Sequence, residues 1–409
     1  MVALRPKAAR VRAGAALLGP AFVAAIAYVD PGNVATNTAA GARYGYLLVW
    51  VLVVATAMAG LVQYLSAKLG LVTGQSLPEA VRDRVPRPVR LAYWGQAEVV
   101  AMATDLAEVL GGAIALALLF DLPLLVGGVI TGVVSTALLL VQDRRGQRPF
   151  ERVVTTLLVV VAVGFAAGLF VDPPSVAGTV GGLVPRFDGA DSVLLAAGML
   201  GATVMPHAVY LHSALARDRH GRPEGGAPRR RLLAATKVDV VVAMVFAGAV
   251  NLAVLLLAAS ALRGLPDVDG LEGVHAAVGS RLGGGIALLF AVGLLASGFA
   301  STAVGCYAGA VVVDGLLRFR IPLLVRRLVT LVPALVVLAV GVDPTQALVL
   351  SQVVLSFGIP FALVPLVWLT ARRSVMGTAA NHVGTTVAAG AASVAVIALN
   401  LVLVYLTFA

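Results

Sequence analysis

Two long apolar segments are interrupted halfway along, by Ala27-Tyr28-Val29-Asp30-Pro31-Gly32-Asn33 and by Gly201-Ala202-Thr203-Val204-Met205-Pro206-His207. Proline removes a backbone donor and clashes with the preceding helical turn, so each stretch predicts a broken helix. In an apolar solvent the carbonyls released at a break need a cavity, a partner or a bound ion. An acid and an amide lie beside the first break, and a methionine sulfur and a histidine lie beside the second. We therefore interpret both breaks as candidate ligand positions.

The composition predicts a polytopic membrane protein. Of 409 residues, 60% are hydrophobic and only 12% are charged, whereas a soluble domain carries about 25% charged residues. Apolar runs of about 18 residues or more, long enough to cross a bilayer, recur throughout the chain. Eleven spans are predicted: Gly14–Ala40, Leu47–Leu71, Leu91–Phe120, Leu124–Val141, Val153–Val171, Ser192–Leu215, Leu233–Leu262, Gly285–Leu317, Leu323–Val340, Thr345–Leu369 and Thr378–Phe408.

The distribution of basic residues predicts the orientation. With a cytoplasmic N-terminus, 26 of the 30 Lys and Arg fall on the cytoplasmic side, and only Arg43, Arg186, Arg263 and Arg281 fall outside. Cytoplasmic loops of membrane proteins carry this excess. The net charge of +10 is thus explained by the lipid bilayer as partner, with no nucleic acid and no obligatory protein partner. An extracellular C-terminus and the cell membrane are expected.

The two breaks stand at equivalent places in two five-span units of opposite orientation. Broken helices in corresponding positions of two halves indicate the binding site of a transporter. We predict one transmembrane domain over residues 1–409, all-α, with inverted repeats at about 14–171 and 192–369 and an extra helix at about 378–408.

Span three carries three acids, Glu98, Asp105 and Glu108, whose spacings of seven and three put them on one helical face. Such a row inside a membrane helix suggests a proton relay. Salt bridges to Arg326 or Arg327 at the start of span nine are the structural alternative, and the two readings are compatible.

Three further polar groups lie in apolar spans. His207 and His212 are five residues apart and diverge around the helix, and we expect His207 to be the functional one. Asn251 in span seven is expected to join helices. Gln352 in span ten could join helices or contact a substrate.

The stretches Asp30-Pro31-Gly32-Asn33, Met205-Pro206-His207 and Ala103-Thr104-Asp105-Leu106-Ala107-Glu108 resemble the Nramp divalent metal transporters, in particular their bacterial proton-dependent manganese branch. The likeness covers nearly the whole chain, including Gln63-Tyr64-Leu65-Ser66-Ala67-Lys68-Leu69-Gly70. One departure is Phe299 in span eight, where the family pattern has glutamine.

The resemblance implies a LeuT-like fold and transport of Mn²⁺ or Fe²⁺, and commonly of Cd²⁺, with protons. It implies no resident cofactor and no enzymatic activity. The metal ligands it implies are the side chains of Asp30, Asn33 and Met205, the carbonyls of Ala27 and Ala202, and, in some conformations, Gln352. The proton route it implies is lined by Glu98, Asp105, Glu108, His207, His212 and Arg327.

A donor set with oxygen and sulfur fits transition metals better than Ca²⁺ or Mg²⁺, which prefer oxygen alone. Met205 is therefore expected to act as a filter against abundant hard ions. A symporter of an organic substrate such as an amino acid, with the same broken helices, is the main alternative. A channel is a second one.

Overall fold

The computed structural model describes residues 19–221, 226–265, 268, 270–319 and 321–408, and every regular element in this part of the chain is helical. The helices are α1 (Pro20–Ile26), α2 (Pro31–Tyr44), α3 (Val49–Thr73), α4 (Leu77–Arg82), α5 (Arg87–Phe120), α6 (Leu124–Arg145), α7 (Gln147–Ala166), α8 (Val176–Gly181), α9 (Gly189–Thr203), α10 (Pro206–His220), α11 (Ala227–Leu257), α12 (Leu271–Leu282), α13 (Gly284–Leu317), α14 (Leu323–Val340), α15 (Pro344–Ala371), α16 (Arg373–Met376) and α17 (Val383–Phe408).

Within the described ranges, ten helical segments are long and apolar enough to cross a membrane, α9 and α10 being counted together. A shorter apolar segment, Pro20–Val29, supplies the first half of span one. The predicted spans thus reappear as helices. The predicted start of span one at Gly14 and the basic residues before it lie outside the described residues.

Several helices extend beyond the predicted spans because a helix can continue after its residues leave the lipid. Span five was predicted from Val153, yet α7 already begins at Gln147, and span seven was predicted from Leu233, yet α11 begins at Ala227. The extra turns are polar and basic.

Both predicted breaks are confirmed. After α1 the chain makes one 3₁₀ turn over Ala27–Val29, Asp30 is extended with φ −73° and ψ 166°, and α2 begins at Pro31. After α9 the chain is non-helical at Val204 and at Met205, which has φ −78° and ψ 116°, and α10 begins at Pro206. Proline is favoured at a first helical position because its missing N–H would have no partner there.

The long central helix α5 packs closely against the first break. A Cβ atom added at Gly111 of α5 would collide with the ring of Pro31, so the absence of a side chain at Gly111 lets the two backbones approach. The acid row of α5 is thereby held beside the start of α2.

Candidate functional site

The two broken spans meet at the side chain of Asn33. Its amide nitrogen donates a hydrogen bond to the carbonyl of Ala202 at 3.0 Å and another to Asp30 Oδ1. The same carboxylate oxygen caps α2 by accepting from the backbone N–H of Asn33 at 3.0 Å. Asp30 is 1% exposed and Asn33 is fully buried. An acid, an amide and a released carbonyl therefore share one enclosed position.

Polar atoms at this junction are left without partners. Asn33 Oδ1 and both amide atoms of Gln352 are shielded from solvent and make no hydrogen bond. Gln352 lies against the break, since a Cβ atom at Gly32 would collide with its amide nitrogen. An unpaired buried polar atom costs about 1–3 kcal/mol, so these atoms are candidate ligand positions. Gln352 does not join helices here, whereas Asn251 does.

Two of the carbonyls released in span one are already bound by neighbouring helices. Asn251 on α11 donates to the carbonyl of Tyr28 at 2.6 Å, and Ser297 on α13 donates to the carbonyl of Val29 at 2.5 Å. These bonds hold the unwound turn in place. Phe299, the departure noted in span eight, is half-buried two residues beyond Ser297.

Met205 and Ala27 border the same junction. Met205 is the residue immediately before α10 and is 1% exposed, and Ala27 is fully buried in the 3₁₀ turn. Both are buried in the same large apolar core as Val29. Each break therefore contributes a buried donor group, the thioether of Met205 and the carbonyl of Ala27.

The donor groups at the junction are of mixed chemical type. Over the described part of the chain, no group of three or more His, Cys, Asp or Glu side chains is placed to hold a metal ion. The junction instead offers one carboxylate and the amides of Asn33 and Gln352, and the two breaks also contain carbonyls and a thioether. Oxygen and sulfur donors together suit soft or borderline cations better than hard ones.

A cavity of about 280 Å³ reaches the junction from one end of the bundle. It is lined by Gly32 and Gln352 beside the break and by Arg43 and Glu272 near the end of α2 and the start of α12. The end of α2 and the start of α1 lie at opposite ends of span one, so this cavity opens on the side away from residue 19.

Ion pairs and backbone caps join helices at the opposite end of the bundle, which we call the ion-paired end. Arg217 at the end of α10 binds Glu79 on α4, and Arg219 lies 3.6 Å from Glu151 on α7. Asp239 on α11 accepts from the backbone N–H groups of Gly19 and Ala21, each at 3.1 Å, and so caps α1. A cavity of about 220 Å³ beside Glu79 and Arg217 lies at this end but does not include the residues of the junction.

The acid row divides into two paired members and one unpaired member. Arg326 binds Glu98, and Arg327 Nη1 lies 2.5 Å from both oxygens of Asp105. Glu108 is 1% exposed, and its carboxylate interacts with the hydroxyl of Ser301 on α13. The predicted salt bridges are confirmed, and Glu108 is the acid of the row without an arginine partner.

The two histidines have different surroundings. Neither ring nitrogen of His207 has a partner, although the residue is buried. His212 Nδ1 lies 2.7 Å from Gln63 Oε1, and the amide of Gln63 donates to the hydroxyl of Tyr28 at 2.6 Å. His212 is therefore connected to the unwound turn through Gln63 and Tyr28. Both ring nitrogens of His207 remain available for a hydrogen bond.

The sequence did not point to Asp239 and Glu151, which join helices at the ion-paired end. Both are buried charged residues at the margins of apolar spans. The signal for Asp239 was present, since Val238-Asp239-Val240 puts a lone acid among valines.

The fold and the junction define a membrane transporter with two broken helices, and comparisons agree. The pattern of the Nramp family, described as "Natural resistance-associated macrophage protein-like", matches residues 21–406. The chain belongs to this family.

A divalent metal cation transporter of Mycobacterium tuberculosis is 64% identical over 391 residues, which cover 96% of this chain and 91% of that protein. The crystal structure of a manganese transporter from Eremococcus coleocola superposes with a TM-score of 0.89 at 30% identity, covering 98% of this chain and 88% of that one. A nucleobase-cation-symport-1 family transporter superposes with a TM-score of 0.59 at 16% identity, over 95% of this chain and 89% of that one. The last likeness concerns the fold alone, and the predicted LeuT-like architecture is confirmed.

Proposed function

We propose that the protein imports divalent transition metal ions, Mn²⁺ first among them, together with protons. The observation that carries the proposal is the junction itself. Asn33 joins Asp30 to the carbonyl of Ala202 across the two broken spans, and Asn33 Oδ1 is left without a partner. The relatives named as metal cation and manganese transporters support the same cargo.

The metal would be held by the side chains of Asp30, Asn33 and Met205 and by the carbonyls of Ala27 and Ala202. Gln352 would join them when its free amide oxygen turns to the ion. The thioether favours Fe²⁺ and Cd²⁺ as further substrates, because sulfur bonds better to soft ions than to Ca²⁺ or Mg²⁺. Selectivity then comes from a difference of affinities.

Proton coupling would start at Asp30, which binds the cation in its ionised form. The carboxyl of Glu108, which has no arginine partner, is our candidate to receive the proton, since the charge of Asp30 acts on it. His207 and His212 would line the second branch of the route, and the Asp105–Arg327 and Glu98–Arg326 pairs would pass the proton onward.

Alternating access is supported by the cavity on one side and the ion pairs on the other. Transport would require the Arg217–Glu79 and Arg219–Glu151 pairs to part as the broken spans rock. The basic loops favour placing the ion-paired end in the cytoplasm, with the N-terminus there and the C-terminus outside the cell membrane. The two repeats, at about 14–171 and 192–369, would move relative to each other.

Uptake by reconstituted liposomes tests the proposal. Vesicles containing a metal-sensing dye and a pH dye should report Mn²⁺ entry and acidification together. Asp30→Ala should abolish Mn²⁺ entry at every pH. Asp121→Asn is the matched control, since Asp121 is exposed in a left-handed conformation that asparagine tolerates. Normal Mn²⁺ entry with Asp30→Ala would rule out the site.

Calorimetry separates the amino-acid symporter from this proposal. Binding heat with Mn²⁺ that disappears in Asp30→Ala supports a metal carrier. Heat with amino acids and none with Mn²⁺ would support the organic substrate instead.

A further inference from the structure

A second large cavity lies on the surface of the bundle, between α3 and α11, and has no part in the junction. It is a groove of about 590 Å³. Its rim is formed by valines that face outward, with Val53 47%, Val241 50% and Val245 61% exposed. Both walls are membrane-spanning helices, so the groove faces the lipid.

The groove runs along the membrane normal. Gly248 on α11 lies against Thr56 on α3, and Gly60 on α3 lies against Met244 on α11. Along the interface the residue numbers rise on α3, from 56 to 60, while they fall on α11, from 248 to 244, so the two helices are antiparallel. From Leu52 to Tyr64 the groove follows α3 for about 18 Å at 1.5 Å per residue. One leaflet of hydrocarbon is about 15 Å thick, so an acyl chain fits its length.

One end of the groove is cationic. Lys237, which is exposed, is the charged member of the described lining and lies at the same end as Tyr64. Arg230 is exposed two turns earlier on the same face of α11. This is the Arg-rich end of the helix. Basic positions beside an apolar groove between membrane helices bind anionic lipid headgroups.

We propose that an anionic phospholipid occupies this groove, with an acyl chain along α3 and α11 and its phosphate at Lys237 and Arg230. The hydroxyl of Tyr64 is placed to bind the ester region of the same lipid. Each wall also holds the first broken span, through Gln63 on α3 and Asn251 on α11, which bind Tyr28. The proposed lipid therefore lies against the two helices that support the junction.

Native mass spectrometry of the full-length protein tests the proposal, with dioleoylphosphatidylglycerol and dioleoylphosphatidylcholine as probes of equal chain length. We expect the anionic lipid to be retained about fivefold more for each cation it contacts. The double variant Lys237→Gln, Arg230→Gln should bring the two lipids close to parity. Arg144→Gln, at an exposed basic site on α6, is the control and should leave the preference unchanged.

A variant that fills the groove with a larger side chain tests lipid binding in a second, independent way. Ala57→Phe adds bulk at an exposed groove position and should lower retention of the anionic lipid. Val133→Phe, at an exposed position on α6, should not. Equal retention of both lipids by the unaltered protein, or a preference that survives the double variant, would overturn the proposal. So would a dimer that forms through this face and is lost with Ala57→Phe. Neither measurement requires transport, so a failed lipid test leaves the metal proposal intact.

Discussion

The amide of Asn33 on the first broken span lies 3.0 Å from the carbonyl of Ala202 on the second. Because the same amide also binds Asp30, one side chain links the carboxylate to both unwound segments. If the proposed metal site is correct, Asn33 has to redirect its amide group so that its oxygen, which now has no partner, faces the cation. Under the proposal, binding of the ion would then change the hydrogen bond between Asn33 and the carbonyl of Ala202.

Asn33→Ala should weaken Mn²⁺ binding at least about tenfold, which corresponds to about 1.4 kcal/mol. The variant removes a ligand oxygen and the link to Ala202 together. Isothermal titration of the purified protein measures the effect. Asn381→Ala is the control. The amide oxygen of Asn381 accepts a hydrogen bond from Lys68 and not from a residue of the junction, so its loss should leave Mn²⁺ affinity unchanged. Equal affinity in both variants would remove Asn33 from the site.

Met205→Ala should relax discrimination against Ca²⁺ and Mg²⁺ while substantial Mn²⁺ uptake remains. The oxygen donors stay, and only the preference that sulfur provides is lost. Competition uptake in liposomes measures the selectivity. Met199→Ala is a matched control, since Met199 is equally buried in α9 on the other side of the break. Both variants should lose stability, by about 2–5 kcal/mol for a buried methionine. Unaltered selectivity with Met205→Ala would contradict the filter.

Arg327→Gln should destabilise the fold by about 3–5 kcal/mol, because it leaves the carboxylate of Asp105 buried without its cation. Adding Asp105→Asn should recover much of that loss. Unfolding of the two single variants and the double variant in detergent gives the coupling free energy. Strictly additive losses would mean that the contact of Arg327 with both oxygens of Asp105 contributes no stability.

Glu108→Gln should uncouple metal entry from proton entry at little structural cost. The carboxylate has no salt bridge to lose, its amide replacement can still accept a hydrogen bond from the hydroxyl of Ser301, and the amide cannot carry a proton across. We expect the pH-dye signal per Mn²⁺ ion to fall severalfold while unfolding temperature stays near that of the unaltered protein. Unchanged acidification per ion would move the proton route away from this residue.

The breaks could be predicted from the sequence, but proline alone did not decide them. Pro333, Pro360 and Pro365 also lie inside helices, and α14 and α15 continue through them. At Pro31 the neighbouring helices provide Asn251 and Ser297 for the released carbonyls. The two breaks were predicted correctly because Pro31 and Pro206 stand beside residues that could bind a ligand.

The contacts that assemble the site could not be predicted, because they join residues far apart in the chain. Asn33 binds a carbonyl 169 positions away, and Asp239 caps a helix more than 200 positions earlier. A single sequence predicts which residues share a face of one helix, but it does not predict how two helices pack on each other. The acid row and its arginines were predictable since seven- and three-residue spacings fix a face, whereas the unpaired state of Glu108 depends on packing.

Crystals grown with Mn²⁺ and measured at its absorption edge show where the metal binds. We expect one strong anomalous peak at the junction, within bonding distance of the Asp30 carboxylate, the Asn33 amide oxygen and the Met205 sulfur. A peak elsewhere in the bundle, or a peak at the junction that persists in Asp30→Ala with none of these three atoms in contact, would contradict the proposed site.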